Sequence, residues 1–285
     1  MKSVRLKYKW PNFVIIFLKS MRLDILLVKQ GFFASRELAK YNISMGNVVV
    51  NGITAKKPST EVTETSKITL NHPNALRFVS KGGLKLQKAL EEFGISCKDF
   101  KVLDVGASTG GFTDCVLQNG AQIVYSVDVG TEQLSALLKT NPKVFSIENI
   151  HIKDLTPEHV KNILFDLIVT DLSFISLTKV FEYFSKFILP EGKVIALIKP
   201  QFEVGKQAIE KGGIVRKPKA HIEAIERISD SAKINGLYLT KITYSPLIES
   251  GRNIEYLALF ERRNPIISEI QPVVESAFSI LTKME

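Results

Sequence analysis

Apolar residues recur in this chain with two rhythms. From residue 101 onward they form short, nearly continuous runs, each ending at a glycine or a polar residue: Lys101-Val-Leu-Asp-Val-Gly106, Ile123-Val-Tyr-Ser-Val-Asp128, Lys143 to Ile147, Phe165-Asp-Leu-Ile-Val-Thr-Asp171 and Val194-Ile-Ala-Leu-Ile-Lys199. Runs of this length with apolar residues at successive positions suit strands buried on both faces of a parallel sheet. Helical stretches separate them, at Phe112 to Leu117, Pro157 to Ile163 and His221 to Ile234. Leu239 to Tyr244 and Ile254 to Phe260 predict a final antiparallel hairpin at one edge. Strand and helix in alternation predict an α/β fold, a doubly wound, Rossmann-like sheet of seven strands over residues 81–263.

Residues 21–80 follow another rhythm. Leu23, Leu26 and Leu27 share one face of a helix that stops at Gln30-Gly31, and Ser35 is suited to cap a second helix carrying Leu38 and Ala39. Gly46-Asn47 turns into Val48-Val-Val-Asn-Gly52, a hairpin pattern. Helix, helix and hairpin predict a small α+β domain. Residues 264–285 predict a short helical tail, and residues 1–20 a basic tail or an over-long start. The run Phe13 to Leu18 behind Lys2, Arg5, Lys7 and Lys9 resembles a weak signal peptide, but no small-residue cleavage site follows. It is also far short of the roughly 20 residues that span a bilayer.

Charge separates the two domains. The net charge is +9, yet residues 1–20 hold five basic and no acidic residues, residues 21–80 eight and four, and residues 81–285 hold 25 of each. A basic excess confined to the small domain suits a module that supplies sequence-independent attraction to phosphates. Arg22, Arg36, Lys40, Lys56 and Lys57 are its candidate contacts. With 45% hydrophobic and 24% charged residues the chain is globular. Cys97 and Cys115 are the only cysteines and form no metal-type pair with the four histidines, so reduced thiols, a cytoplasmic setting and no metal are expected.

The candidate chemistry gathers at strand ends. Gly106-Ala-Ser-Thr-Gly-Gly-Phe112 carries the first strand into a helix, and Gly106, Gly110 and Gly111 would let the backbone pass where a side chain would collide with a ligand. The spacing is not G-x-G-x-x-G, and no Gly-Lys-Ser/Thr follows, so neither common phosphate-binding motif fits. Asp128 ends the next strand, where a carboxylate accepts from ribose hydroxyls. Strand, glycine turn, helix, strand and acid together resemble the S-adenosylmethionine-dependent methyltransferases. Ser108, Thr109, Phe112 and Asp154 complete the candidate cofactor contacts. Asp171 and Lys199 end two later apolar strands, so their charges must leave the core or find partners, which Lys85 and Glu255 could supply.

Larger motifs carry a closer resemblance. Arg22-Leu-Asp, Gly31-Phe-Phe-Ala-Ser-Arg36 and Gly46-Asn-Val-Val-Val-Asn-Gly52 resemble the RNA-binding module first known from ribosomal protein S-four. The glycine turn, Ser80-Lys-Gly-Gly-Leu-Lys-Leu86 and Asp171-Leu-Ser-Phe-Ile-Ser176 resemble a ribosomal RNA 2'-O-methyltransferase domain. In this order, over residues 21 to about 262, they resemble the TlyA family, whose members also carry the name haemolysin A. The resemblance implies S-adenosylmethionine as cofactor, ribosomal RNA or ribosomal subunits as partner, and a cytidine 2'-hydroxyl as acceptor. It also implies a catalytic tetrad that maps onto Lys85, Asp171, Lys199 and Glu255. Lys199, between Ile198 and Pro200, is the candidate base for a hydroxyl that is a poor nucleophile until deprotonated, and Lys85 the second positive charge. Lys81 stands where arginine is usual, and Glu249 and Arg252 where relatives carry glycines. Two other readings are a membrane-active haemolysin and a catalytically silent RNA-binding or ribosome-assembly factor.

Overall fold

A computed structural model describes residues 20–33, 35–71, 78–248, 250–263 and 269–283. The basic stretch 1–19 and Glu249 lie outside the described residues. The chain divides into two compact units, residues 1–75 and 76–285.

The first unit contains β1 (Ser20–Arg22), α1 (Leu23–Lys29), α2 (Arg36–Ser44), β2 (Val48–Val50), β3 (Ile53–Thr54), β4 (Glu61–Thr63) and β5 (Ile68–Leu70). The Ser35 side chain accepts from the Leu38 amide and so caps α2. Asn51 and Gly52, both at positive φ, make the tight turn between β2 and β3. Leu23, Leu26 and Leu27 pack against Leu38, Ala39 and Val48 in one small core. Strands β1, β4 and β5 have no counterpart in the sequence reading. At three residues each they are too short to show an alternation, and pairing with β4 and β2 defines them.

The second unit contains α3 (Gly82–Phe93), β6 (Lys101–Val105), α4 (Gly111–Gln118), β7 (Ile123–Val127), α5 (Ala136–Lys139), β8 (Val144–Ile147), β9 (Phe165–Thr170) and α6 (Phe181–Phe184). It continues through β10 (Ile188–Ile198), α7 (Pro200–Glu203), α8 (Pro218–Ile234), β11 (Tyr238–Tyr244), β12 (Tyr256–Glu261) and α9 (Ile270–Thr282). Its sheet has seven strands in the order β11-β12-β10-β9-β6-β7-β8. The apolar runs explain the double winding. Along β10, Val194, Ala196 and Ile198 enter the core on one face while Ile195 and Leu197 enter the core on the other. A strand whose two faces are both covered has no polar side to present.

Two expectations need correction. The hairpin does close the sheet at one edge, but only β12 runs antiparallel to the other strands. It lies inside the edge, between β10 and β11, because it pairs with β10 over six residues. Residues 157–163 do not form an α-helix. They form a single 3-10 turn, Pro157–Val160, ended by Lys161 and Asn162 at positive φ. The tail gives α9, which buries Val274 and Ala277, and residues 264–268 and 284–285 lie outside the described residues. No described helix is long and apolar enough to cross a membrane.

Candidate active site

The glycine turn leaves β6 with positive φ at Gly106, Ser108 and Gly110 and enters α4 at Gly111. Its glycines answer to protein rather than to an open ligand space. A Cβ on Gly110 would collide with Leu138 and Leu134, and one on Gly111 with Ser80 Oγ. At Gly106 the nearest atoms would be Leu172 Cδ2 at 3.0 Å and the Asp171 carbonyl oxygen at 3.1 Å. The turn is therefore wedged among three segments, which fixes its shape. Above it lies a cavity of about 170 Å³ lined by Gly106, Ser108, Thr109, Gly111, Phe112, Asp171 and Lys199, with Ser80 and Gly82 closing one side.

Asp128 stands at the end of β7 as the sequence places it. Its Oδ2 accepts from the Ser108 amide at 2.8 Å and its Oδ1 from the Gly130 amide at 2.7 Å, so the carboxylate ties two loops together. Each oxygen keeps a lone pair for a further donor. Asp154 is not brought to the cradle. It is exposed at the end of a 3-10 turn and lines neither this cavity nor the cleft beside Asp128.

The four ionisable residues meet as two pairs. Lys199 Nζ lies 2.6 Å from Asp171 Oδ1 and donates to Ser173 Oγ at 2.8 Å. Lys85 Nζ lies 2.6 Å from Glu255 Oε2. The lysine side chains are only 11% and 14% exposed, so each carboxylate compensates a largely desolvated cation. β9 and β10 deliver the first pair: they are parallel neighbours, Thr170 at the end of β9 pairs with Ala196, and β10 runs two residues further before Lys199. α3 and the entry to β12 deliver the second. Lys85 and Glu255 line a larger cavity of about 470 Å³ with Lys81, Gln201, Arg252 and Asn253. Segments 80–85 and 199–201 contribute to both cavities, so each lysine pair faces one of two neighbouring spaces. Arg252, where a glycine was expected, stands on the wall of the larger one.

Several supporting residues were given no role in the sequence reading. Asp104 is fully buried within β6, where its Oδ2 accepts from Thr113 Oγ1 at 2.7 Å, and Thr113 in turn meets Ser126. Burial pushes the Asp104 carboxyl up to about 7. A carboxylate inside an apolar strand was the available signal. Glu203 is buried at the end of α7 and accepts from Ser176 Oγ and the Leu177 amide, tying the loop after β9 to the turn after β10. Burial also raises its pKa. Asn253 accepts from the Val215 amide and donates to the Gly213 carbonyl, while buried His221 donates from Nε2 to the Val215 carbonyl. No sequence pattern announces these loop ties.

In the first unit, Arg22 and Arg36 converge on one acid. Arg22 Nε lies 2.9 Å from Asp24 Oδ1, and Arg36 Nη2 lies 2.7 Å from Asp24 Oδ2. Asp24 is fully buried while the arginine side chains are 42% and 50% exposed. Burial favours the neutral acid, but the two guanidiniums overcome it and hold the Asp24 carboxyl below its usual range. Lys40 lies part-way along α2, and Lys56 and Lys57 are exposed in the stretch after β3.

Comparison with known proteins decides the family. Residues 78–262 match the FtsJ-like methyltransferase family, and residues 21–68 match the S4 domain. The chain is 37% identical over 235 residues to the 16S/23S rRNA (cytidine-2'-O)-methyltransferase TlyA of Mycobacterium tuberculosis, covering 82% of this chain and 87% of the relative. The chain belongs to the TlyA family of FtsJ-like methyltransferases. Hemolysin A of Brachyspira hyodysenteriae is 39% identical over 244 residues, covering 84% of this chain and 99% of the relative. A solved Streptococcus thermophilus chain carrying a hemolysin name aligns with TM-score 0.73 at 38% identity, over 93% of this chain and 98% of that one. A TlyA-family methyltransferase with an amino-terminal S4 domain is what the sequence motifs implied.

Proposed function

We propose that this protein transfers a methyl group from S-adenosylmethionine to the 2'-hydroxyl of a cytidine in ribosomal RNA, working in the cytoplasm on RNA or ribosomal subunits. The observation that carries the reading is the pairing of Lys199 with Asp171 in one cavity and of Lys85 with Glu255 in its neighbour. The cradle suits the cofactor chemically. Its backbone turn, the hydroxyls of Ser108 and Thr109 and the Asp128 carboxylate offer contacts for a ribose and an amino acid, and no phosphate-holding Gly-Lys-Ser/Thr is present. When bound, S-adenosylmethionine supplies an already activated sulfonium methyl whose leaving group is a neutral thioether.

The chain must therefore act on the nucleophile. Once its ammonium has released a proton to solvent, the neutral Lys199 Nζ takes the 2'-hydroxyl proton, and the Asp171 carboxylate beside it stabilises the ammonium that re-forms. Ser173 Oγ holds the same nitrogen in line with the cavity. Lys85 faces the developing alkoxide with its positive charge, and Glu255 fixes the direction of that lysine. Lys81 and Arg252 on the wall of the 470 Å³ cavity add attraction for the phosphates flanking the acceptor. TlyA of Mycobacterium tuberculosis, whose name specifies cytidine-2'-O transfer, supports the choice of acceptor. Incubating the full chain with ribosomal subunits and methyl-labelled S-adenosylmethionine, then mapping alkali-resistant ribose positions, tests the reading. Label at a cytidine 2'-oxygen is expected, and label confined to bases would overturn it.

A further inference from the structure

Asp24 lies outside the methyl-transfer chemistry, and its surroundings are unusual for an acid. It is fully buried in the small core of the first unit, beside Leu23, Leu26 and Leu27, yet it accepts from two half-exposed arginines. The contacts are specific. Arg22 uses Nε on Oδ1 and Nη2 on Oδ2, at 2.9 and 3.3 Å, and Arg36 uses Nε and Nη2 on Oδ2, at 3.2 and 2.7 Å. A guanidinium carries five N–H groups, so with two of each engaged on Asp24, three remain on each arginine. Two cations stand against one buried acid, and the exposed Glu61, opposite Arg22 across the β1–β4 pair, is a second acid beside Arg22 alone.

We propose that Asp24 is a positioning residue for RNA capture: from the core it aims the Arg22 and Arg36 guanidiniums outward as a fixed double fork for phosphate oxygens of structured RNA. The proposal rests on the reading of the protein as an RNA methyltransferase. A long arginine side chain searching solvent loses rotamer freedom when it grips a phosphate, and one already held by a buried carboxylate has lost it during folding. Arg22 stands at the boundary of β1 and α1 and Arg36 opens α2, so neither could be oriented by its own helix alone. The buried acid couples them.

Simple electrostatics and positioning give opposite signs for one substitution. Asp24→Asn removes a negative charge beside the RNA-facing surface, so charge alone would tighten binding and steepen its salt dependence. Positioning predicts that the full-length Asn variant binds 16S or 23S ribosomal RNA roughly tenfold more weakly, because two side chains must be ordered at binding. Its S-adenosylmethionine affinity is expected to stay at the wild-type value. Equal or tighter RNA binding by Asp24→Asn, with Arg22→Ala and Arg36→Ala each weakened, overturns the positioning role alone. Wild-type RNA affinity in both arginine variants overturns RNA capture by this face and the proposal with it. Should Asp24→Asn fail to fold, nitrogen-15 spectra of the wild-type chain without RNA decide. Ordered, slowly exchanging Nε–H signals for Arg22 and Arg36 support the aimed fork, and averaged signals overturn it.

Discussion

The arginine cluster of the first unit and the lysine pairs of the second are built from the same ingredients in opposite proportions. Around Asp24 the acid is buried and two cations are about half exposed, so positive charge is presented outward. At the strand ends of the second unit each lysine has its own carboxylate and both partners are mostly buried, so the net field is small and the geometry close. The difference fits the two roles proposed above. Capturing a polyanion rewards surplus charge directed at solvent, and the gain is shared among many phosphates. Moving one proton rewards a single nitrogen fixed against a single oxygen, and surplus charge adds little. A total of +9 conceals this division, because residues 81–285 are neutral overall.

The sharpest way to break the comparison is at Lys199. Lys199→Ala should lower turnover by ~100-fold or more, the usual contribution of general base catalysis, while S-adenosylmethionine affinity and RNA affinity stay near wild type. Single-turnover methylation at saturating RNA measures it. More than about a tenth of wild-type turnover would remove Lys199 from the proton transfer. A fall in RNA affinity equal to the fall in turnover would instead place the pair with the arginine cluster, as a binding device.

A smaller effect is expected at Asp128, which tests whether the cradle and the lysine pairs are separable. Asp128→Ala should weaken S-adenosylmethionine binding by roughly 1.5 to 3 kcal/mol, the range for hydrogen bonds to a charged group. Part of that loss comes through the protein, since the Ser108 and Gly130 amides lose their acceptor. Calorimetry on the full chain reads it, and unchanged affinity would put the cofactor elsewhere.

Much of this was legible in the sequence, and the exceptions share a cause. The alternation of apolar runs with helical stretches carries the doubly wound sheet, since a strand buried on both faces leaves a strong local mark. Lys85, Asp171, Lys199 and Glu255 were recognisable from local motifs, and the structure assembles them in two pairs. What stayed hidden depends on partners distant in the chain. β12 inserts beside β10 through pairing with a strand far back in the sequence, and the unbroken apolar run Tyr256–Phe260, against the polar-interrupted Tyr238–Tyr244, was the local mark of the inner strand that the sequence reading did not use. The crowding at Gly110 comes from Leu134 and Leu138, not from a ligand. Arg22 and Arg36 read as surface cations until the burial of Asp24 shows why they converge.

Next in size are the arginines themselves. Arg22→Ala and Arg36→Ala should each weaken RNA binding and flatten its salt dependence by about one phosphate contact, leaving cofactor affinity unchanged. Each should also lower the melting temperature, because the surviving arginine must compensate buried Asp24 alone. Filter binding at several salt concentrations, with residues 1–20 deleted so that their five positive charges do not mask the change, separates the two effects. Wild-type slopes in both variants would leave the cluster a purely structural one.

The smallest effect comes from an acid that has neither kind of partner. Asp104 is buried in β6 beneath the glycine turn, with Thr113 as donor to one oxygen and no hydrogen-bond partner for Oδ1. Burial raises its carboxyl to about 7, so between about pH 4 and pH 7 the folded protein holds a proton that the unfolded chain has released. Stability contributed by this group is therefore present at low pH and is lost as the pH rises through that window. Asp104→Asn keeps a donor-acceptor side chain without the titration. Relative to wild type, the Asn variant should melt higher at pH 8 than at pH 5, the difference growing steadily between those values. Thermal unfolding of both proteins across that range measures it. A constant difference would mean that Asp104 stays ionised throughout, in which case the turn above it tolerates an unpaired buried charge that neither the arginine cluster nor the lysine pairs leave uncompensated.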